Sequence, residues 1–143
     1  MREILFRGKR IGDGKWFEGY YCGGTENKTI SPCIFEYLGG MKGYDYHNII
    51  LDTLGQYTGL TDKNGNRIFE GDVLKMEIKL TYINPLQAPL VFIGVCTFKD
   101  GAFGFSKQRA GIEEFTAFSS TTYNVEFEII GNIHDNADLL IQN

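Results

Sequence analysis

Residues 55–74, GQYTGLTDKNGNRIFEGDVL, decide how this chain folds. Asn64-Gly65 is a strong tight-turn pair, because both residues tolerate the positive φ that hairpin turns require. Residues 67–69 follow the turn with a β-forming sequence and predict a hairpin. Gly71-Asp72 then interrupts the β-forming pattern. Residues 74–80 alternate apolar with charged side chains, which indicates a half-buried strand.

Several blocks of the sequence, in a constant order, resemble the YopX family of bacteriophage and prophage proteins. They are QYTGL, DKNG and IFEGDV within residues 56–73, TFKDGAF at residues 97–103, IIGNIHDN at residues 129–136, and the N-terminal residues 1–21. The resemblance covers nearly the whole chain, and the linking segments 22–47 and 77–94 carry little of it. It implies a fold and a phage context, and it brings no catalytic residues with it.

The second half of the chain is predicted to be a small β-barrel. We expect a β-rich N-terminal region of residues 1–54 and a barrel of residues 55–143 that ends in a brief helix. Asp100-Gly101 supplies one of the hairpin turns. The spacing of the strands favours an SH3-like barrel, and a sandwich would also fit. Strands are expected near residues 72–80, 90–98, 102–107, 122–127 and 128–133, with a helical or irregular turn at 111–119.

The N-terminal region is predicted to begin with a hairpin, followed by weaker elements. Its second strand places Trp16 and Tyr20 on one face and Phe17 and Tyr21 on the other. Aromatic residues on both faces predict cover on both sides, either within a separate lobe or by a second copy in a homo-oligomer. The expected elements are strands at residues 2–11, 15–22, 29–38 and 48–51, an aromatic loop at 39–46 and a turn at 52–54.

Charge and composition limit the partners. The 143 residues carry a net charge of −4, but residues 1–15 hold five basic and two acidic residues, so the remainder is strongly acidic. An acidic body repels phosphate, which disfavours nucleic acid. The absence of a long apolar run and of a signal-peptide pattern predicts a cytoplasmic protein with no membrane partner. Cys22, Cys33 and Cys96 lack metal-site spacing and are expected to be reduced.

No pattern in the sequence points to a catalytic chemistry. His47 and His134 are expected at the surface or in capping positions. Glu70 and Asp72 would share one face of a strand as an acid–base pair, but the favoured interpretation has Asp72 accepting bonds from backbone amides. We therefore predict that the protein is not an enzyme and has no cofactor or metal. The residues assigned structural roles are Tyr57, Asn64, Gly65, Gly71, Asp72, Asp100 and Gly101.

The predicted function is that of a phage accessory protein that binds a host or phage protein, as an adaptor or modulator. Exposed aromatic patches would mark such a site. A small barrel that binds nucleic acid by stacking is the alternative, and an enzyme with an unrecognised site is a third. The candidate binding residues are Trp16, Tyr20, Tyr44 and Tyr46 for a protein, and Trp16 and Tyr20 with Arg7, Lys9 and Arg10 for nucleic acid.

Overall fold

The computed structural model describes residues 1–23, 31–122 and 124–141. The chain is mainly β, with two antiparallel sheets, and it divides into two compact units, Met1–Gly59 and Leu60–Asn143. The sequence placed the division after residue 54, five residues earlier. Residues Gly55 and Gln56 belong to the first unit because they pair with Arg7 and Phe6 in its sheet.

The first unit is built on five hydrogen-bonded strands in the order β4-β3-β2-β1-β5. Leu5, Ile34 and Ile49 are among the buried apolar side chains of its described residues. Gly8 allows a close approach here, since a Cβ at this position would lie 2.6 Å from Cδ1 of Ile49. The strands are β1 (Phe6–Lys9), β2 (Trp16–Cys22), β3 (Cys33–Tyr37), β4 (Tyr44–Asn48) and β5 (Gly55–Thr61).

Two predictions for the first unit are wrong. The aromatic loop at residues 39–46 and the strand at 48–51 are replaced by β4, which pairs with β3 from Tyr44 to Asn48. The glycines at 39, 40 and 43 suggested a loop, but they only form a short 3-10 turn, Gly40–Lys42, between the two strands. The predicted turn at 52–54 corresponds to a second 3-10 turn, Leu51–Thr53.

The second unit contains a five-stranded antiparallel sheet in the order β10-β9-β8-β7-β11. The strands of this sheet are β7 (Asp72–Ile78), β8 (Leu90–Lys99), β9 (Ala102–Arg109), β10 (Ile112–Ala117) and β11 (Val125–Asn132). A short strand, β6 (Arg67–Phe69), comes before them in the chain. One face of this sheet forms a core around Ile68, Leu74, Met76, Cys96, Phe105 and Phe118. Fully burying each large apolar side chain contributes roughly 1.5–3 kcal/mol, so this cluster is the main source of stability in the second unit.

Four predictions for the second unit need correction. Residues 125–132 form one strand rather than the two predicted at 122–127 and 128–133, because the ladder with β7 continues past a single register shift near Ile129. Residues 111–119, predicted as a turn, contain β10. Among the described residues β10 and β11 do not pair, so the sheet is open rather than a closed barrel. The predicted terminal helix is a 3-10 turn, Ala137–Leu140.

Candidate functional site

The sheet of the first unit gathers most of the predicted binding residues on one face. Tyr20 lies opposite Phe35, Phe35 lies opposite Tyr46, and Tyr37 lies opposite Tyr44. Directly paired residues of an antiparallel sheet project to the same side, and so do residues two apart in one strand. We call this surface the tyrosine face; it consists of Trp16, Tyr20, Phe35, Tyr37, Tyr44 and Tyr46.

The tyrosine face is open to solvent although its rings touch one another. Tyr20, Tyr37, Tyr44 and Tyr46 are between 52% and 62% exposed. The ring centroids of Tyr37 and Tyr44 are 5.2 Å apart, and Tyr20 lies 6.3 Å from Tyr44. Phe35 and Tyr46 are also 6.3 Å apart. These spacings are typical of favourable aromatic pairs, so the rings stabilise one another at the surface.

Basic side chains border the tyrosine face at its β1 end. Lys9 pairs with Trp16 across the two strands, and Arg7 pairs with Glu18. The guanidinium carbon of Arg7 lies 4.8 Å from the centroid of the Trp16 ring, and Nζ of Lys9 lies 5.6 Å from it. Both distances are within the range of cation–π attraction. The structure therefore brings Arg7 and Lys9 together with Trp16, as a nucleic-acid site would require.

Arg10 lies apart from this group, on the other side of the sheet. Its guanidinium carbon is 4.6 Å from the centroid of Phe17, and Nη2 lies 2.5 Å from Oδ2 of Asp13. The hydrogen bond from Arg10 lowers the pKa of the Asp13 carboxyl to about 2, with a further bond from the Lys15 N–H. Arg10 is therefore engaged in the turn of the first hairpin and does not contribute to the tyrosine face.

His47 is buried, which contradicts its predicted surface or capping position. Its ring stacks on Phe17 with 3.6 Å between centroids and is 5% exposed. Nδ1 lies 3.2 Å from Nη1 of Arg10, and Nε2 lies 3.1 Å from Oε2 of Glu36. Arginine only donates hydrogen bonds, so Nδ1 accepts from Arg10 and Nε2–H donates to Glu36. Its place beside Asp45 and Tyr46 gave no signal of burial in the sequence.

Asp62, beside the Asn64-Gly65 turn, anchors the hairpin within residues 55–74. Its Oδ1 accepts hydrogen bonds from the backbone N–H groups of Asn64 and Asn66, both at 2.9 Å, and its Oδ2 accepts from that of Ile129 at 3.0 Å. Burial opposes ionisation of this carboxyl, but the backbone donors outweigh it and lower the pKa of Asp62. The side chain joins the hairpin to β11 within the second unit.

Asp72 also bonds to the backbone. It is 1% exposed, and its Oδ2 accepts a hydrogen bond of 2.8 Å from the N–H of Phe69. Gly71 has a φ of 87°, and its N–H bonds to the carbonyl of Cys96 at 2.9 Å. With Asp72 enclosed in this way and Glu70 half-buried, the structure offers no support for an acid–base pair.

The remaining motif residues form turns and ladders. Asp100 and Gly101 have φ values of 52° and 80° and join β8 to β9. Gly65 has a φ of 84° in the first hairpin turn of the second unit. The N–H of Tyr57 donates to the carbonyl of Leu5 at 2.8 Å in the first unit.

Charge differs between the two units. Residues 1–59 contain seven basic and seven acidic residues, so the first unit has no net charge and the second carries −4. Among the described residues, no three His, Cys, Asp or Glu side chains are grouped as a metal site would require. That part of the chain also holds no helix of the length and hydrophobicity needed to cross a bilayer.

Comparisons with known proteins agree with the architecture. A family model described as YopX protein matches residues 5–141. The crystal structure of protein EF1440 from Enterococcus faecalis is similar, with a TM-score of 0.59 and 23% sequence identity, over 98% of this chain and 99% of that chain. At this identity the similarity concerns the fold alone. No curated protein sequence matches the chain.

Proposed function

Because the chain belongs to the YopX protein family and exposes a cluster of tyrosines on its first unit, we propose that it is a non-catalytic protein-binding module. In this proposal it is a phage or prophage accessory protein. It works in the bacterial cytoplasm as an adaptor or a modulator. The tyrosine face carries it, since four tyrosines that are more than half exposed lie side by side on one sheet surface.

Tyrosine suits this role for physical reasons. It offers a large apolar ring with a polar tip, and it loses little conformational entropy when it is immobilised. Tyrosine and tryptophan are accordingly enriched in protein interfaces and among the residues that dominate binding energy. Arg7 and Lys9, which flank Trp16, add positive charge at one end of the face. We expect a folded protein partner with an apolar patch and a carboxylate that meets this basic end.

Single-stranded nucleic acid is the second candidate, favoured by the same Arg7, Lys9 and Trp16 group. Aromatic rings beside basic side chains bind such strands by stacking and by backbone neutralisation. The absence of net charge on the first unit weakens this candidate, because affinity for phosphate depends on excess positive charge.

The finer fold assignment belongs to this proposal as well. In the second unit three consecutive hairpins link β7 to β10, and β11 returns to lie beside β7 after a 3-10 turn, Phe118–Ser120. This order supports an SH3-like sheet that remains open. We propose that the second unit is a scaffold without a catalytic centre, a cofactor or a metal, which is consistent with the backbone roles of Asp62 and Asp72.

Affinity capture from a bacterial lysate, with and without nuclease, tests the proposal. The variant replaces Tyr20, Tyr44 and Tyr46 with alanine. Tyr82→Ala is the matched control, since Tyr82 is 66% exposed on the second unit. We expect the wild type and Tyr82→Ala to retain one protein in stoichiometric amount after nuclease treatment. The triple variant should lose it. Material that nuclease or raised salt removes would favour nucleic acid instead, and a partner that the triple variant keeps would refute the tyrosine face.

Self-association through the tyrosine face is a related proposal. A homo-oligomer would cover rings that are otherwise exposed, and such assemblies are symmetric. Sedimentation at several concentrations measures it: a mass that rises with concentration in the wild type and not in Tyr44→Ala supports the assembly. A constant 16.2 kDa species contradicts it.

A further inference from the structure

Two thiols of the first unit face each other across neighbouring strands. Cys22 at the end of β2 is the direct partner of Cys33 at the start of β3. Both are free, and Sγ of Cys33 lies 3.6 Å from the backbone carbonyl oxygen of Cys22. Cys22 is half-buried, whereas Cys33 is buried. Paired residues project to the same side of an antiparallel sheet, so the two sulfurs share one face.

The backbone geometry of such a pair is compatible with a disulfide. Directly opposed residues have Cα atoms roughly 4.5–5.5 Å apart, and a disulfide spans roughly 4.4–6.8 Å between Cα atoms. The Cβ atoms of opposed residues lie about 4.5–5.5 Å apart, which is at or just beyond the upper end of the disulfide range of about 3.5–4.5 Å. A disulfide therefore needs the two strands at the close end of their usual spacing.

We propose that Cys22 and Cys33 form a reversible disulfide by exchange with a low-molecular-weight disulfide. The Cys22 thiolate attacks one sulfur of the small disulfide, and the first small thiol leaves with the proton that Cys22 gave up. The Cys33 thiolate then attacks the Cys22 sulfur of the mixed disulfide, and the second small thiol leaves with the proton of Cys33. The protein dithiol is oxidised, and one small disulfide is reduced to two thiols.

The order of the two attacks follows from accessibility. Cys22 is the more exposed sulfur, so a dissolved disulfide reaches it first. Burial, together with the neighbouring Cys22, raises the pKa of the Cys33 thiol, so Cys33 is a poor first nucleophile in free solution. Once Cys22 carries the mixed disulfide, its sulfur lies beside Cys33. The high effective concentration of the Cys33 thiol at that sulfur then compensates for the small fraction of it that is ionised.

The third cysteine provides an internal control. Cys96 is 1% exposed and belongs to the core of the second unit with Leu74 and Phe105. It is shielded from dissolved disulfides.

The proposed bond lies close to the tyrosine face. It would be two residues from Tyr20 along β2 and two residues from Phe35 along β3, on the same side as both rings.

The test is thiol counting on the whole chain after equilibration in buffers of oxidised and reduced glutathione. Samples are quenched in acid, alkylated under denaturing conditions and weighed by mass spectrometry. The reduced protein alkylates at three cysteines. After oxidation we expect a monomer that has lost two hydrogens and alkylates only at Cys96, with one peptide pair linking Cys22 to Cys33. Restoring the reduced buffer should return all three thiols.

Two variants separate the steps. Cys33→Ser should trap glutathione on Cys22, and Cys96→Ser should oxidise like the wild type. The proposal is overturned if the wild type retains glutathione on Cys22, keeps all three thiols, or links two chains through Cys22. Serine is close to cysteine in size, and far-UV circular dichroism of each variant checks that the sheets are intact.

Discussion

The two units use aromatic side chains in opposite ways. In the second unit Phe118 and Phe127 lie 5.0 Å apart, and Phe105 lies 5.9 Å from Phe127, within a core where Phe105 is 1% exposed. In the first unit Tyr37 and Tyr44 are as close, at 5.2 Å, yet both are 57% exposed. Ring contact alone therefore does not distinguish core from surface. The difference lies in whether a second layer covers the rings, and stability and binding should respond to it separately.

The largest expected effect comes from removing a ring of the core. Phe105→Ala should destabilise the second unit by about 3–5 kcal/mol, because it removes a buried ring and leaves a cavity. Tyr44→Ala, the matched change on the tyrosine face, should cost only about 1 kcal/mol, because it removes exposed ring contacts with Tyr20 and Tyr37 and leaves no buried cavity. Urea unfolding followed by circular dichroism measures both, and fluorescence of Trp16, the only tryptophan, reports on the first unit. Equal losses in the two variants would contradict the comparison.

The core of the second unit was the more predictable part of the chain. The alternation of residues 74–80 and the turn at Asp100-Gly101 specify β7, β8 and β9 locally, and the structure confirms these strands. The strand β10 was missed because Glu113 and Glu114 interrupt its pattern. Those charges are tolerated, since Glu113 and Glu114 lie on an edge strand and pair with Lys99 and Lys107.

The tyrosine face could be predicted only in part. Trp16 and Tyr20 share a face by simple alternation along one strand. Tyr44 and Tyr46 join them only because β3 pairs with both β2 and β4, and this non-local register leaves no mark within either segment. Arg10 was grouped with Arg7 and Lys9 from its charge, although alternation from Lys9 already puts it on the other face.

The next largest effect concerns the carboxylate that anchors the second unit. Asp62→Ala should destabilise this unit by roughly 2–3 kcal/mol at neutral pH, because three backbone N–H groups lose their acceptor. Asp138→Ala, at an exposed position in the same unit, is the control and should be nearly neutral. Urea unfolding at pH 7 measures the difference.

The pH dependence gives a second readout of Asp62. Its pKa is lowered in the folded state, so its contribution is complete above the unfolded value of about 3.9 and is lost as the pH falls through the folded pKa. The gap between wild type and Asp62→Ala should therefore shrink in acid. A gap that is unchanged at low pH would show that the carboxylate charge is not what binds the three amides.

A smaller effect is expected from the close approach at Gly8 in the first unit. Gly8→Ala would place its Cβ 2.6 Å from Cδ1 of Ile49 and 3.1 Å from its Cβ. Since Ile49 is 1% exposed, it has little room to move, and we expect a loss of roughly 1–2 kcal/mol. Adding Ile49→Val, which removes Cδ1, should recover part of this loss. Urea unfolding followed by Trp16 fluorescence measures it. Additive losses in the double variant would contradict this explanation.

The smallest effect on stability is expected at Asp13. Its carboxyl, like that of Asp62, has a lowered pKa. Asp13 is an exposed carboxylate held by one ion pair, whereas Asp62 is buried and held by three backbone amides, so Asp13 should show a clear titration with little consequence for stability. NMR of the Asp13 carboxyl should give a pKa of about 2. The ion pair is complete above the unfolded pKa and is lost as the pH falls through about 2. Arg10→Gln should raise the Asp13 pKa towards its ordinary value while the Lys15 N–H bond remains. An unshifted Asp13 in the wild type would show that the ion pair between Arg10 and Asp13 does not hold the hairpin turn in solution.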